Sequence, residues 1–202
     1  MRIEAKGIGK RYQRQVVIQP TDLTVEEPGV YVVLGGNGSG KSTLMKMLSG
    51  MLTPSRGILS YFDDQLKIIP ADKRYEFIAF AGPYHEVIEE MTLLEFLKFT
   101  AIFRPFIDTP EACLEMMNLS PHAHKQISAF SSGMKQRVKL GLALFSTARV
   151  VFLDEPVSHL DAKAIAWYQS ALVEAAKEKM VFVASNHNAA EYPNPRQEFV
   201  VD

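Results

Sequence analysis

The sequence predicts an α/β fold in which a mostly parallel sheet is flanked by helices. After residue 131, short apolar stretches alternate with helical segments, an order typical of parallel sheets covered on both faces. Earlier in the chain, the apolar run Val30–Leu34 leads into glycines and then into the helical segment Lys41–Leu48. This strand–turn–helix order is the setting of a phosphate-binding loop. The 202 residues, 47% of them hydrophobic, suffice for one domain with a packed core.

The individual elements can be placed along the chain from residue patterns. Strands that would form a small antiparallel edge sheet are predicted at Ile3–Ile8, Gln15–Ile18 and Leu23–Glu26. Two further strands are predicted at Gly57–Tyr61 and Phe77–Ala81. Helices at Leu93–Phe103 and Pro110–Met117 predict an inserted helical subdomain from about residue 84 to residue 130. The alternating elements that follow are the helices Gly133–Phe145 and Ala162–Glu178 and the strands Val150–Leu153 and Val181–Ser185.

Composition limits the classes of function. The formal net charge of −1 lacks the basic footprint of a dedicated nucleic-acid binder, so no direct nucleic-acid binding is expected. Cys113 is the one cysteine, which excludes an intrachain disulfide and a cysteine-based metal site. No stretch approaches the roughly 20 apolar residues of a membrane span. The sequence therefore predicts a cytoplasmic protein whose membrane role, if it has one, depends on a partner.

Residues Gly35–Ser42 read Gly-Gly-Asn-Gly-Ser-Gly-Lys-Ser and match the pattern G-x-x-x-x-G-K-[ST] after a predicted strand. Glycines let backbone N–H groups converge on phosphate oxygens, and the N-terminus of the following helix adds positive partial charge. Lys41 is expected to pair with the β- and γ-phosphates, and the Ser42 hydroxyl to ligate Mg²⁺. The predicted nucleotide contacts are Gly35, Asn37, Gly38, Ser39, Gly40, Lys41, Ser42 and Thr43. The motif predicts a P-loop NTPase fold, and alone it leaves kinases, GTPases and ATPases open.

The apolar run Val150–Leu153 ends in two carboxylates, Asp154 and Glu155. Ligands of parallel sheets bind at the C-terminal ends of the strands. Asp154 is expected to hold Mg²⁺, through water, and Glu155 to act as general base on the attacking water. The alternative is an ordinary strand-to-loop transition, and the phosphate loop earlier in the chain favours the catalytic interpretation.

Residues Phe130–Arg137 read Phe-Ser-Ser-Gly-Met-Lys-Gln-Arg. They resemble the LSGGQ signature of ATP-binding cassette (ABC) proteins, especially the LSGG-M-K-Q-R variant of export-type cassettes. The resemblance implies that Ser131, Ser132 and Gly133 form a second anion site, which closes over the γ-phosphate held by the other member of a pair of cassettes.

Further segments resemble the same family in the same order along the chain. Ser158–Asp161 is similar to the D-loop that follows the catalytic glutamate. His187 lies after a predicted strand, as the switch histidine does, which implies contact with the γ-phosphate and the attacking water. Tyr12 corresponds to the aromatic residue that stacks on adenine. The alternative for each of these two side chains is ordinary packing.

Two departures from the family pattern bear on catalysis. Ser132 replaces the first signature glycine, and Phe130 replaces the leucine. The glutamine of the Q-loop, which senses Mg²⁺ and the transmembrane partner, aligns with Pro83, and Tyr84 or His85 could substitute for it. Hydrolysis would then be slower or more dependent on a partner, and a degenerate cassette that binds ATP with little turnover stays open.

The resemblance covers the whole of residues 1–202 and implies a single ABC ATPase domain that binds ATP and Mg²⁺. It would work as a homodimer or pseudo-symmetric pair and drive a separate membrane permease on the inner face of the cell membrane. The segment Met91–Phe106 is the expected docking area, or else subdomain core. Export is favoured by Met134–Arg137 and by the few residues after His187. The alternatives are a soluble cassette without a permease, acting on DNA or ribosomes, and a P-loop kinase or GTPase.

Overall fold

The computed structural model describes residues 1–83 and 85–201. The strands of this part of the chain are β1 (Arg2–Tyr12), β2 (Gln15–Val25), β3 (Gly29–Leu34), β4 (Arg56–Phe62), β5 (Ile68–Ile69), β6 (Ile78–Ala81), β7 (Val150–Asp154), β8 (Met180–Ser185) and β9 (Gln197–Val200). The α-helices are α1 (Lys41–Leu48), α2 (Leu93–Phe103), α3 (Pro110–Met116), α4 (Ser132–Leu144) and α5 (Ala162–Ala175).

A five-stranded sheet with the order β6-β7-β8-β3-β9 forms the centre, and its neighbouring strands are parallel. Strands β7 and β8 are buried on both faces, and in β7 alternate side chains enter two different cores. Val151 and Leu153 pack among residues of α2 to α5. Val150 and Phe152 pack among residues of α1 and the N-terminal strands. The predicted parallel sheet with helices on both faces is confirmed.

The N-terminal strands form a four-stranded antiparallel sheet with the order β2-β1-β4-β5. The prediction of two separate strands at Gln15–Ile18 and Leu23–Glu26 was wrong, because both belong to β2. Pro20 interrupts the strand pattern in sequence, but β2 is an edge strand. Its pairing with β1 also shifts register between the pairs Ile8–Thr21 and Lys10–Ile18. An edge position and a bulge are the places where a sheet tolerates proline.

Helices α2 and α3 lie between β6 and α4 in the chain and form the inserted helical part of the fold. A capping box starts α2, since the Glu95 carboxylate accepts a 2.9 Å hydrogen bond from the Thr92 backbone N–H. The Trp167 indole of α5 donates to the Met116 carbonyl oxygen at the end of α3 over 2.7 Å. This bond connects the helical part to α5, the helix that follows β7.

Some element ends differ from the prediction. Helix α5 stops at Ala175, three residues earlier than predicted, and a turn over residues 176–179 carries the chain into β8. Strand β6 begins at Ile78, because Phe77 closes a 3₁₀ segment. Strand β9 was missed, because it has only four residues, two of them polar, and it adds to the sheet edge through backbone pairing with β3.

Candidate functional site

The loop of residues 35–40 connects β3 to α1 and forms the floor of the site. Gly38 and Gly40 have φ angles of +82° and +104°, a region that favours glycine. A Cβ at Gly40 would also lie 3.1 Å from the Val17 carbonyl oxygen and against the Ile18 side chain. The backbone of the loop therefore passes closely beneath β2, an approach that only glycine permits.

The Lys41 side chain folds back into this loop. Its Nζ atom donates hydrogen bonds to the carbonyl oxygens of Gly35 (2.9 Å) and Gly36 (2.8 Å), and the residue is 5% exposed. A buried ammonium group at the centre of a loop of N–H groups is suited to bind phosphate oxygens.

A cavity of about 260 Å³ opens above the loop. Val17, Glu155 and six of the predicted nucleotide contacts line it, the six being Asn37, Gly38, Gly40, Lys41, Ser42 and Thr43. Gly35 and Ser39 do not line the cavity, and they pack closely together, since a Cβ at Gly35 would overlap Ser39 and the Val201 carbonyl oxygen. The phosphate loop and the residue that follows β7 therefore share one cavity.

Asp154 ends β7 and is 3% exposed. Its Oδ1 atom is buried and has no hydrogen-bond partner in residues 1–83 and 85–201. A buried carboxylate oxygen without a partner is costly, and a bound cation would offset that cost. Mg²⁺ prefers oxygen ligands, and the Ser42 hydroxyl lies in the adjoining cavity. Asp154 and Ser42 therefore fit a magnesium ion.

Glu155 and His187 follow neighbouring strands, and each has a positive φ, of +51° and +56°. Strands β7 and β8 pair Asp154 with Ala184, and the Glu155 N–H donates to the Ala184 carbonyl oxygen over 3.2 Å. The Ser185 hydroxyl accepts a 3.1 Å bond from the Asn188 N–H and closes the turn that contains His187. Positive φ in residues other than glycine is backbone strain of the kind that clusters at active sites.

The signature segment lies at the start of α4. Ser131 caps the helix by accepting a 3.2 Å bond from the Met134 N–H, and Ser131 and Ser132 are exposed. A Cβ at Gly133 would lie only 2.8 Å from the His159 carbonyl oxygen, so the helix start packs against the segment Ser158–Asp161. These signature residues do not line the cavity that contains Lys41. They are open to contact with another molecule.

The side chain of Gln136 connects α4 to the loop that follows Glu155. Its Nε2 atom donates a buried 3.0 Å hydrogen bond to the Pro156 carbonyl oxygen, directly after Glu155. The signature helix and the loop that follows the predicted general base are therefore joined by a direct hydrogen bond.

A profile of the family described as "ABC transporter" matches residues 18–158. The chain belongs to the ABC transporter family. The matched residues include the phosphate loop, the signature helix and the acidic end of β7, and the chain is the ATPase cassette of such a system.

Relatives of the cassette serve different transport systems. It is 27% identical to the cytochrome c biogenesis ATP-binding export protein CcmA of Paraburkholderia xenovorans, over 96% of this chain and 92% of the relative. It is 28% identical to the spermidine/putrescine import ATP-binding protein PotA of Bacillus cereus, over 80% of this chain and 50% of the relative. The dimeric structure of the ATP-binding cassette MJ0796 bound to ADP and Pi superposes with a TM-score of 0.83. That likeness, at 21% identity, covers 99% of this chain and 94% of that chain and supports the fold.

The remaining predicted residues of the cassette lie around the edges of the site. Tyr12 ends β1 and is half-exposed, with Lys10 Nζ 5.1 Å from the centre of its ring. It does not line the cavity, and adenine stacking stays a prediction. In the Q-loop, Pro83 is exposed, and Tyr84 lies outside the described residues.

His85 of the cassette is half-buried and stacks on Phe80, with 4.9 Å between ring centres. Burial lowers the pKa of its imidazole, and the positive charges of Lys139 and Lys46 lower that pKa further. The ring lines a surface groove together with Phe80 and Phe103. It is therefore placed between the Asp154 end of the sheet and the helical part.

Two residues near the site were absent from the sequence-based prediction. Val17 lines the cavity from β2, and no local sequence pattern indicates this position. Glu191 is buried close to the ends of β7 and β8, although a glutamate in a polar segment is expected to be exposed.

In the described ranges, no helix of the cassette has the length and apolar character needed to cross a lipid bilayer.

Proposed function

We propose that this cassette couples ATP hydrolysis to the movement of a separate membrane permease. The observation that carries the proposal is an apolar groove of about 390 Å³ between the central sheet and the helical part. Phe80 and His85 line the groove. Phe80 is in β6, the strand that pairs with β7, and His85 lies in the segment after β6. A protein docked there would contact the segment that connects to the nucleotide site.

Within one cassette, residues on the two sides of the cavity divide the chemistry. Lys41 and the loop N–H groups bind the β- and γ-phosphates, and Tyr12 supports the adenine. Mg²⁺ held by Ser42 and Asp154 would supply positive charge to the phosphates. Glu155 accepts the proton of the attacking water, and the imidazole of His187 orients that water and the γ-phosphate. Catalysis of this kind rests on positioning and charge stabilisation.

Two cassettes would complete each other's sites. The signature residues Ser131, Ser132 and Gly133, of which the two serines are exposed, form a hydroxyl-capped helix N-terminus that lies outside their own chain's cavity. Backbone N–H groups at such a helix start favour an anion. In a head-to-tail pair, this surface faces the γ-phosphate on the partner's loop, and two-fold symmetry produces two such sites.

The docking groove presents large apolar side chains to solvent. Met51 is 59% exposed, Tyr75 64% and Phe103 74%. Adjacent exposed apolar residues mark interaction surfaces. We assign the groove to a cytoplasmic helix of the permease, which would place the cassette on the inner face of the membrane. Export is the proposed direction, supported by the residues Met134–Arg137 and by similarity to an export protein over nearly its full length.

Replacement of Phe103 by aspartate tests the docking groove. Phe103 ends α2 with its ring in solvent, so Phe103→Asp is expected to keep the fold and the basal rate of phosphate release. A buried charge opposite an apolar helix is unfavourable, and stimulation of hydrolysis by the permease should fall by about tenfold or more.

The measurement is phosphate release in lipid vesicles that contain a polytopic membrane protein captured by co-purification with the wild-type cassette, and co-purification with each variant is the second readout. Val173→Asp, on the exposed surface of α5, is the matched control. Equal stimulation of wild type, control and Phe103→Asp would rule out this groove as the docking surface. No stimulation even of the wild type would favour the soluble alternative.

A further inference from the structure

The carboxyl group of Glu191 is buried, and the proposed mechanism assigns it no role. The residue closes the 3₁₀ turn Ala189–Glu191 after His187 and is only 5% exposed. Its Oε2 atom is buried and has no hydrogen-bond partner in the described parts of the chain. Burial raises the pKa of the carboxyl group, and the charges of Glu155 and Asp154 nearby raise that pKa further. A buried group that is costly to keep calls for a functional reason.

The carboxyl group lies beside two segments that carry predicted catalytic residues. Hydrogen bonding from the Ser185 hydroxyl, at the end of β8, and from the Val157 backbone N–H, in the loop after Glu155, lowers the pKa of this carboxyl group and opposes the effect of burial. Ser185 is fully buried, and its hydroxyl also accepts the Asn188 N–H that closes the turn around His187. Glu191 therefore lies beside both the anchor of the His187 turn and the loop of Glu155.

The backbone around Glu191 is itself held in place by α5. The Tyr168 hydroxyl donates a buried 2.7 Å hydrogen bond to the Glu191 carbonyl oxygen. The neighbouring Gln169 side chain donates to the Ala190 carbonyl oxygen over 3.0 Å. Tyr168 is fully buried, so its ring fixes this contact within the core. The backbone that carries the Glu191 side chain is consequently fixed against α5.

We infer that Glu191 is a positioning residue for ATP hydrolysis, which holds the Glu155 loop and the His187 turn in fixed relation. This inference rests on the proposed roles of Glu155 and His187. Hydrolysis depends on the geometry of both groups around one water molecule, and small displacements of catalytic groups have large effects on rate. ATP binding uses the loop around Lys41, which Glu191 does not touch. Loss of Glu191 should therefore affect the chemical step and spare nucleotide binding.

Steady-state phosphate release by Glu191→Ala and Glu191→Gln tests the inference, with Glu198→Gln on exposed β9 as the matched control. Glu191→Ala is expected to lower kcat by about tenfold or more while KM for ATP stays within about twofold. Glu191→Gln keeps an acceptor oxygen for the two donors and should recover part of the lost kcat. A purely structural role would not produce this separation of kcat from KM or this rescue.

A kcat for Glu191→Ala equal to that of the control, or no difference between Glu191→Ala and Glu191→Gln, would overturn the inference. If Glu191→Ala fails to fold, Glu191→Asp decides, because it keeps the carboxyl group but withdraws it by one methylene group and should also lower kcat at unchanged KM. Glu155→Gln is assayed in parallel. Wild-type release no faster than that of Glu155→Gln would refute the proposed function itself, a result distinct from failure of the Glu191 inference.

Discussion

Glu155→Gln is expected to reduce phosphate release by about 100-fold or more while ATP binding is retained. The carboxylate lies on the cavity wall opposite the phosphate loop, where it can accept a proton from water, and an amide cannot. The two side chains have nearly the same size, so the positive φ at this position and the hydrogen bond from its N–H to Ala184 should persist. Bound ATP should accumulate on this variant.

The measurement for Glu155→Gln combines phosphate release with direct binding of ATP in the presence of Mg²⁺. Glu178→Gln, an exposed position beyond α5, is the control for the loss of one negative charge. Equal rates near background for wild type and Glu155→Gln would mean that the cassette binds ATP without turnover, the possibility raised by Pro83 in the Q-loop.

Lys41→Ala is expected to weaken ATP binding by about 30-fold or more, since a hydrogen bond to a charged group contributes about 2 kcal/mol. The ammonium group now bonds two loop carbonyl oxygens from a buried position at the base of the cavity. Its removal takes away the positive charge nearest the predicted phosphate position. Lys41→Met, which keeps the length of the side chain, separates the loss of charge from collapse of the loop.

Titration of each Lys41 variant with a fluorescent ATP analogue gives the affinity, and thermal unfolding without nucleotide checks the fold. An affinity within about threefold of the wild type, for variants that unfold at the wild-type temperature, would contradict the assignment of Lys41 to phosphate binding.

Features coded by short stretches of sequence were predictable. The order of an apolar run, two carboxylates and a loop places Asp154 and Glu155 at the end of a parallel strand, because buried parallel strands are continuously apolar and end at one edge. The glycine spacing before Lys41 likewise predicts the loop that the structure contains. In both segments, backbone conformation depends on residues that adjoin in sequence.

Features that depend on distant residues were not predictable. Strand β2 runs through Pro20 because an edge position and a bulge accommodate it, and neither is visible in the local pattern. Strand β9 exists because the edge of β3 is available for pairing. The burial of Glu191 results from α5 and β8 packing around it, which its own polar neighbours in sequence do not indicate.

The central claim is that hydrolysis takes place in a site shared by two cassettes, and two inactive variants can test it. Ser131→Asp keeps the helix cap, since aspartate caps as well as serine, but sets a negative charge against the partner's γ-phosphate. Ser131→Asn, a neutral cap, is its control. Lys41→Ala removes the other half of the site. Neither Ser131→Asp nor Lys41→Ala should release phosphate alone.

The decisive measurement is phosphate release after the two purified variants are mixed in equal amounts. Half of the randomly formed pairs then contain one intact site, built from Lys41 of one chain and Ser131 of the other. The account predicts recovery of roughly a quarter of the wild-type rate. A mixture as inactive as its separate components, or full activity of Ser131→Asp alone, would contradict the shared site.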